Sequence, residues 1–336
     1  MKNFKNFFLL AISLSLSSCA IIEPSNQMPS IAPSVSIGPS YIPPSPTPSP
    51  SPIPTPSLPS VSVEGDVGNS DNTTYNVTNG VATGLYTPGA NDKLEVISIE
   101  PLQQYGDSTL FKYGNFELLI DTNNYESFEF VKVTSTVAQY IDDGVLEMFV
   151  ATHPHGDHVG GFSSNGVSVN DFLSNTGIKE IKCFIDSGGV NNNYWENAKP
   201  VLRQKTTYDY TVYDMFYGSE AYKSYPYIFS VANDVYVEIL NTGEYVVDGT
   251  YVDDPNEVSV ALVFHYGNYK YLMCGDLNSS GESGLQSRYP GYFEDENYVI
   301  AKTNHHGSSN GSNTKNYVEW VKPDKVLVSA AIVNNN

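Results

Sequence analysis

The sequence predicts an α/β fold in which two β-sheets pack together and helices cover their outer faces. Apolar runs of strand length outnumber the helical segments, and hairpin patterns occur near both ends of the region that starts at residue 94. A single doubly wound sheet would instead alternate strands with helices. The chain of 336 residues, 40% of them hydrophobic, has enough apolar side chains for a substantial core.

The predicted elements begin with an apolar run over residues 94–102. Residues 107–121 contain two further runs on either side of residues 113–115, and the Gly and Asn between them indicate a hairpin. Residues 130–142 are compatible with a helix, and residues 145–151 are predicted to form the next strand. Six later segments are also predicted strands: 178–186, 235–243, 258–266, 269–276, 297–304 and 325–333.

The first 18 residues have the features of an export signal, with two lysines followed by an apolar run too short to span a membrane well. Residues 16–19 resemble the bacterial lipobox, which implies cleavage before Cys19 and attachment of lipid to it. The alternative is an ordinary secretory signal in which Cys19 is incidental. We therefore expect a signal peptide over residues 1–18 and a lipid anchor at the extracytoplasmic face of the cell membrane. No later apolar run reaches about 18 residues, so no transmembrane helix is expected after the signal.

Residues 19–90 are predicted to be a disordered linker rich in Pro, Ser and Thr, and the alternative for the Gly-, Asn-, Thr- and Ser-rich stretch 64–92 is an ordered first strand. Thirteen of the 21 prolines lie between residues 20 and 60, where charges are nearly absent, so this stretch cannot bury a core. In polyproline II, at about 3.1 Å per residue, it would reach up to roughly 120 Å from the membrane. The folded domain is predicted over residues 91–336.

The formal net charge of −20 comes from 17 Lys and Arg against 37 Asp and Glu. This disfavours a general binder of polyanions, because affinity for phosphate backbones depends on clustered basic side chains.

Three of the six histidines lie within six consecutive residues, directly after a predicted strand. Alternate residues of an extended chain point the same way, so His153 and His155 can face one metal ion while Asp157 and His158 reach a second. Imidazole and carboxylate ligands suit Zn²⁺ or Mn²⁺. A polar loop that merely collects histidines is the alternative, and the HxHxDH pattern favours a site for one or two ions.

Two later strands end in further candidate ligands, Asp276 and the pair His305 and His306. Taken alone, each is also compatible with an ordinary surface turn, but at strand ends they can converge on the rim that carries the first cluster. His265 is expected to be structural. It lies beside the predicted turn at Gly267, roughly 20 Å along the hairpin from Asp276.

These motifs together resemble the metallo-β-lactamase fold over about residues 94–336. Within that superfamily the chain is similar to the extracellular hydrolase domain of ComEC-type DNA-uptake proteins and to related secreted hydrolases. Six segments carry the similarity: 106–108, 119–121, 157–161, 256–260, 274–276 and 305–308. The resemblance implies a four-layer αβ/βα sandwich, one or two zinc ions, and hydrolysis of phosphoesters such as DNA.

The expected metal ligands are His153, His155, Asp157, His158, Asp276 and one of His305 and His306. The first two would hold one ion and the others a second, with Asp276 between the ions. Asp157 and Asp276 are the expected catalytic residues, with Asp157 as a general base if only one metal binds. Gly307, Ser308 and Ser309 are expected to offer N–H and hydroxyl groups to a phosphate oxygen of the substrate.

Two features depart from the better-known lactamase branch. No histidine lies between His158 and His265, so the middle histidine ligand of that branch has no counterpart, as in the ComEC-like branch. The chain stops at Asn336, where relatives usually continue, which indicates either a truncated sequence or a naturally short end. The channel helices of the DNA-uptake proteins are absent as well, so transport is not implied.

Two further groups of residues have alternative interpretations. Cys183 and Cys274 lie in predicted apolar strands, so buried free thiols are expected, with a disulfide as the alternative in an exported protein. The aromatic-rich segment 194–229 is either ordinary packing or a surface that stacks bases or sugars.

The sequence favours an extracytoplasmic metal-dependent hydrolase that cleaves phosphoester bonds. Its expected partners are a phosphoester substrate, with DNA as one candidate, and the membrane through the lipid on Cys19; no protein partner is predicted. An esterase acting on phosphorylcholine or cell-wall phosphate esters is the alternative that the negative charge favours. A non-catalytic surface-binding lipoprotein is the alternative of another class, and it would be expected to have lost its metal ligands.

Overall fold

The computed structural model describes residues 76–102, 105–124, 126–162, 167–188, 193–217, 225–242, 254–309 and 311–331. The predicted signal peptide, Cys19 and most of the predicted linker lie outside these residues. Within them, no helix is long and apolar enough to cross a membrane.

The described strands form two sheets. The eight-stranded sheet contains, in spatial order, β1 (Asn76–Thr78), β2 (Val81–Thr83), β9 (Ile228–Ala232), β10 (Val235–Leu240), β11 (Ala261–Tyr266), β12 (Tyr269–Met273), β13 (Tyr298–Lys302) and β14 (Lys325–Leu327). The six-stranded sheet contains β3 (Leu94–Ser98), β4 (Thr109–Tyr113), β5 (Phe116–Ile120), β6 (Val145–Ala151), β7 (Glu180–Asp186) and β8 (Thr206–Thr211).

Seven α-helices occur in the described part of the chain. They are α1 (Ser127–Val137), α2 (Gly156–Val159), α3 (Val169–Thr176), α4 (Asn193–Arg203), α5 (Val212–Tyr217), α6 (Ser279–Arg288) and α7 (Lys315–Val321). Local chemistry sets their ends, as in α3, where Ser168 and Asp171 form a capping box and Gly177 ends the helix in the left-handed region.

The two sheets share one core, to which both contribute side chains. Phe111 of β4 stacks on Phe264 of β11 with 4.8 Å between the ring centroids. A second core lies under α1, α3 and α4 on the outer face of the six-stranded sheet, and a third lies under α6 and α7 on the outer face of the other sheet. The order of layers is helix, sheet, sheet, helix. The predicted four-layer αβ/βα sandwich is therefore confirmed.

The predicted hairpins are confirmed. Strands β4 and β5 pair antiparallel around Gly114, and β11 and β12 pair antiparallel around Gly267. His265 pairs with Lys270 beside the second turn. Asp276 lies beyond the opposite end of this hairpin, where its N–H donates to Oγ of Ser259 (3.3 Å). His265 is thus at the end of the hairpin remote from Asp276, as the sequence predicts.

The folded part begins earlier than the predicted boundary at residue 91. Strands β1 and β2 belong to the eight-stranded sheet, and Ala82 and Leu85 are buried in the shared core. These strands have three residues each, too few for any periodicity to reveal them. Helix α1 also starts three residues before the predicted segment, at Ser127. Glu129 in its first turn accepts a hydrogen bond from the N–H of Leu102 (2.6 Å), a tertiary contact that the sequence pattern does not show.

The two interior cysteines, Cys183 and Cys274, are buried free thiols, so the alternative of a disulfide is wrong. In the described part of the aromatic segment, Trp195 is buried in the second core and Tyr210 in the core that the two sheets share, against which Tyr208 also packs. These three side chains serve packing.

Candidate metal centre

The candidate residues lie where parallel strands of both sheets end. Strands β5 and β6 run parallel, as do β12 and β13, and the segments that follow these four strands meet at one edge of the sandwich. Carboxyl ends of parallel strands commonly form the binding edge of α/β folds. The strand ends therefore bring together side chains that are far apart in the chain.

The segment after β6 carries the HxHxDH motif. Nε2 of His153 lies 3.0 Å from Nδ1 of His155, so the two imidazoles converge as the alternation predicts. His155 is also the N-cap of the short helix α2, and Asp157 and His158 lie within the single turn of that helix. His153 and His158 are completely buried.

Asp276 lies between two imidazoles from different segments. Its Oδ1 is 3.1 Å from Nε2 of His158, and its Oδ2 is 3.3 Å from Nε2 of His306. Nε2 of His306 is also 3.1 Å from Oδ2 of Asp157. The side chains of His158, Asp276, His306 and Asp157 thus form one continuous cluster.

The structure distinguishes the two neighbouring histidines. His306 has a side chain that is only 9% exposed and contacts two of the site carboxylates. The side chain of His305 is 37% exposed, and its Nε2 lies 3.8 Å from Asp276. His306 is the member of the pair that belongs to the cluster, while His305 lies at its rim.

The backbone that presents these ligands is strained and held by buried contacts. His305 and His306 both have positive φ angles, of 48° and 53°, which are uncommon for residues with a Cβ. Just before them, Asn304 donates to the fully buried carboxylate of Glu282 (2.8 Å), which also accepts the N–H of Asn313 (2.6 Å). Glu282 therefore fixes the loop that carries both histidines.

The backbone just before Asp276 passes very close to a neighbouring segment. Gly275 has φ of +53°, and a Cβ at this position would come within 2.6 Å of Oγ1 of Thr152. Only glycine allows the segment after β12 to pass this close to the segment after β6.

Burial and neighbouring charges shift the pKa values of the histidines in opposite directions. Burial lowers the pKa of His153 well below its ordinary value, and it lowers that of His155 as well. Burial acts the same way on His158, but Asp276 and Asp121 outweigh it and raise the pKa of His158 well above the ordinary value. The pKa of His306 rises to about 11, because hydrogen bonds to Asp107, Asp157 and Asp276 outweigh burial.

The side chains of the cluster fit a divalent cation. His158, Asp276 and His306 can each offer one ligand atom, and these atoms lie within 4.8 Å of one another and of a carboxylate oxygen of the neighbouring Asp107. Nε2 of His158 and Oδ1 of Asp276 are buried, and apart from their mutual contact at 3.1 Å neither has a hydrogen bond among the described residues, an arrangement that a metal ion would satisfy. Imidazole and carboxylate together suit Zn²⁺ or Mn²⁺.

From the sequence we predict no role for three residues of this centre, which are Asp107, Asp121 and Lys302. Asp121 directly follows a completely buried strand, as Asp276 follows an apolar one, so its position was a usable signal. No comparable pattern points to Lys302, which is buried and ion-paired with Asp107.

The predicted phosphate-binding residues lie at the rim. Gly307 and Ser309 are exposed, whereas Ser308 is half-buried. The N–H of Ser308 donates to the carbonyl of His305 (2.7 Å), so this N–H is already used within the turn. The exposed Gly307 and Ser309 remain candidates for a substrate contact.

Similar proteins among the solved structures include the following three. One is a metallo-β-lactamase-fold protein from Bacillus subtilis, with 12% identity and a TM-score of 0.36 over 66% of this chain and 77% of that one. Another is human tRNase Z in its short form, with 12% identity and a TM-score of 0.40 over 70% and 92%. The third is a diphosphatase from the PhnP family, with 15% identity and a TM-score of 0.32 over 66% and 71%. No protein-family model matches the chain, and no curated protein matches it.

Proposed function

We propose that this protein is an extracytoplasmic hydrolase that cleaves phosphoester bonds with a metal-activated water, held at the membrane by lipid on Cys19. The observation that carries the proposal is the convergence around Asp276 of imidazoles and carboxylates from three strand ends, those of β6, β12 and β13. A binding protein that keeps the fold as a scaffold has no need to bury two imidazoles against the carboxylates of Asp157 and Asp276, since burying charged groups is costly.

Each ligand has a definite place in this proposal. His153 and His155 would hold one ion through the nitrogens that face each other. The second ion would be held by His158, His306 and Asp157. Asp276 would lie between the ions, because it contacts His158 and His306 directly and its charge also acts on His153 and His155.

When bound, a divalent metal lowers the pKa of a coordinated water so that hydroxide forms near neutral pH. The chain's own residues then orient the substrate and accept protons. The Asp157 side chain is 17% exposed, against 2% for Asp276, so Asp157 is the carboxylate that solvent water can reach. This supports Asp157 as the proton acceptor if only one metal binds.

A phosphorylcholine or cell-wall phosphate esterase is the second candidate, and Tyr105 favours it. This tyrosine is 47% exposed, and its ring centroid lies 5.2 Å from that of His306. An exposed aromatic ring beside a metal centre can hold a quaternary ammonium through cation–π attraction. The net charge of −20 also favours a small zwitterionic substrate over DNA.

The test uses the purified full chain. Metal content is measured after dialysis, and hydrolysis is then measured with zinc or manganese on plasmid DNA, bis-p-nitrophenyl phosphate and p-nitrophenylphosphorylcholine. We expect one to two ions per chain and hydrolysis of at least one phosphoester, abolished by chelation and restored by metal. A chain that binds no metal, or that cleaves none of these substrates when loaded, overturns the proposal. The His265→Ala variant is the matched control and should retain activity.

The anchor is tested separately in bacterial cells that express the full chain. The Cys19→Ala variant should incorporate no labelled fatty acid and leave the membrane fraction or stay uncleaved. Membrane retention and gel mobility equal to those of the unaltered chain would contradict the anchor without affecting the hydrolase proposal.

A further inference from the structure

We infer that Asp107 and Lys302 form a buried positioning pair that holds the imidazoles of His158 and His306 from behind, outside the set of metal ligands. This inference rests on the metal centre of the proposed function. It assigns roles to two side chains that the motif does not include.

The two imidazoles have carboxylates at both of their nitrogen edges. At the Nε2 edges lies Asp276, 3.1 Å from His158 and 3.3 Å from His306. At the Nδ1 edges lies Asp107, whose Oδ2 is 3.7 Å from His158 and whose Oδ1 is 3.5 Å from His306. Asp107 and Asp276 therefore lie on opposite sides of the same two rings.

Hydrogen bonds fix which edge faces the metal. Nδ1 of His158 lies 2.7 Å from Oδ2 of Asp121, and Nδ1 of His306 lies 3.0 Å from the carbonyl of Ser329. A carbonyl or carboxylate oxygen accepts, so both Nδ1 atoms are the donors in these contacts. The Nε2 atoms face the carboxylates of Asp276 and Asp157, away from Asp107. An ion that takes the place of the protons on these Nε2 atoms would thus lie on the side remote from Asp107.

Lys302 explains why the carboxylate of Asp107 can remain ionised in this buried place. Its Nζ is 2.6 Å from Oδ2 of Asp107, and both side chains are nearly inaccessible, at 4% and 6%. A buried charge is costly unless it is paired. An ammonium at this distance also disfavours direct coordination of a dication by the same oxygen, because the two cations would repel each other.

The ammonium of Lys302 also forms hydrogen bonds to two segments that carry expected metal ligands. Nζ of Lys302 donates to the carbonyl of Gly275 (3.2 Å), the residue before Asp276, and to the carbonyl of Thr303 (2.8 Å), at the start of the histidine loop. The backbone N–H of Asp107 donates to the carbonyl of Asp157 (3.0 Å). The pair thus connects the histidine loop, Asp276 and the HxHxDH segment.

The experiment compares the full chain with Asp107→Asn, Lys302→Met and the double variant carrying both changes. Zinc affinity is measured by competition with a chromophoric chelator, metal stoichiometry by elemental analysis, ligand geometry by the visible spectrum of the cobalt-loaded protein, and stability by thermal unfolding without metal. Because no substrate is involved, the result does not depend on hydrolysis.

Asp107→Asn should weaken zinc binding by about 10- to 100-fold, as loss of an outer-sphere partner typically does, and shift the cobalt spectrum without changing the stoichiometry. Lys302→Met should lower the unfolding temperature, since it leaves a buried carboxylate unpaired. The double variant should recover part of the unfolding temperature, because it still lacks the hydrogen bonds from Lys302 to Gly275 and Thr303, and it should not recover the zinc affinity. Lys112→Met combined with Glu117→Gln removes another buried ion pair and is the matched control, which should leave zinc affinity unchanged.

Two results would overturn the inference. Full recovery of zinc affinity in the double variant would make the pair purely structural, and loss of one ion per chain in Asp107→Asn would make Asp107 a ligand. A chain that binds zinc but hydrolyses no phosphoester would refute the proposed function and leave the positioning pair intact. A wild-type chain that binds no metal would refute both.

Discussion

Nδ1 of His158 lies 2.7 Å from Oδ2 of Asp121, and both side chains are buried. Asp121 follows β5 and Thr152 follows β6, and because these strands are parallel neighbours the two residues meet at their ends. The N–H and the hydroxyl of Thr152 also lie within hydrogen-bond distance of the Asp121 carboxylate, at 2.7 and 2.6 Å. With three partners, the carboxylate has little freedom to move, so it fixes the ring orientation of His158.

The variant Asp121→Asn should weaken metal binding by about 10- to 100-fold, because the amide keeps the shape but loses the charge that supports the imidazole as a ligand. Zinc affinity measured by chelator competition checks this. Asp186→Asn is the matched control: Asp186 is also buried, at the end of the neighbouring strand β7, but it pairs with Arg203 instead of a site histidine. Equal zinc affinities in the two variants would contradict the role of Asp121.

The variant Asp276→Ala should have the largest effect of any single ligand change. Its carboxylate contacts His158 and His306 and its charge also acts on His153, so its loss removes the group expected between the two ions. We expect loss of at least one ion per chain and about 10³-fold lower kcat/KM, roughly 4 kcal/mol of transition-state stabilisation. His265→Ala, at the other end of the hairpin, should retain near-normal activity. The reverse result would show that the metal centre has been placed at the wrong end of that hairpin.

The neighbouring histidines should behave differently when each is replaced by alanine. His306→Ala removes the imidazole that contacts Asp157 and Asp276, so metal content should fall and activity should be lost. His305→Ala changes a half-exposed ring at the rim, so metal content should stay constant. Elemental analysis of the two purified variants decides the matter. Metal loss in His305→Ala with full retention in His306→Ala would reverse the assignment.

The sequence predicts the strands whose apolar runs are long, and with them the two-sheet architecture. It does not predict β1, β2, β8 or β9. Strand β8 alternates but is built largely from polar residues and tyrosine, TTYDYT, which periodicity based on apolar residues does not detect. Such strands are held by pairing with their neighbours, which is a tertiary effect.

The candidate site is likewise predictable from the sequence only in part. A metal site is indicated by the residue types and spacing of the HxHxDH motif and by the carboxylate of Asp276 after a strand. The choice between His305 and His306 depends on the backbone angles of one turn. The pairing of Asp107 with Lys302 depends on how the end of β13 meets the loop between β3 and β4. Contacts of this kind, between residues far apart in the chain, have no signature in a single sequence.

A buried carboxylate away from the metal centre should make stability depend on pH. Burial raises the pKa of Glu117 to about 8, and the nearby Glu147 adds to this, while the ion pair with Lys112 opposes it. One of its carboxylate oxygens, Oε2, has no hydrogen bond among the described residues. Between about pH 4.5 and pH 8 the folded protein therefore keeps a proton that the unfolded chain has released. Stability should decrease as pH rises through this window.

The variant Glu117→Gln should flatten this dependence, since glutamine does not titrate. Each pKa unit of difference corresponds to about 1.4 kcal/mol, so the free energy of unfolding of the unaltered chain should fall measurably more between pH 5 and pH 8 than that of the variant. Urea unfolding of the metal-free protein at several pH values provides the measurement. Glu319→Gln, at a side chain that is 63% exposed, is the control and should follow the unaltered chain. Parallel pH curves for Glu117→Gln and the unaltered chain would show that Glu117 is ionised in the folded protein throughout the window, with Lys112 compensating fully for its burial.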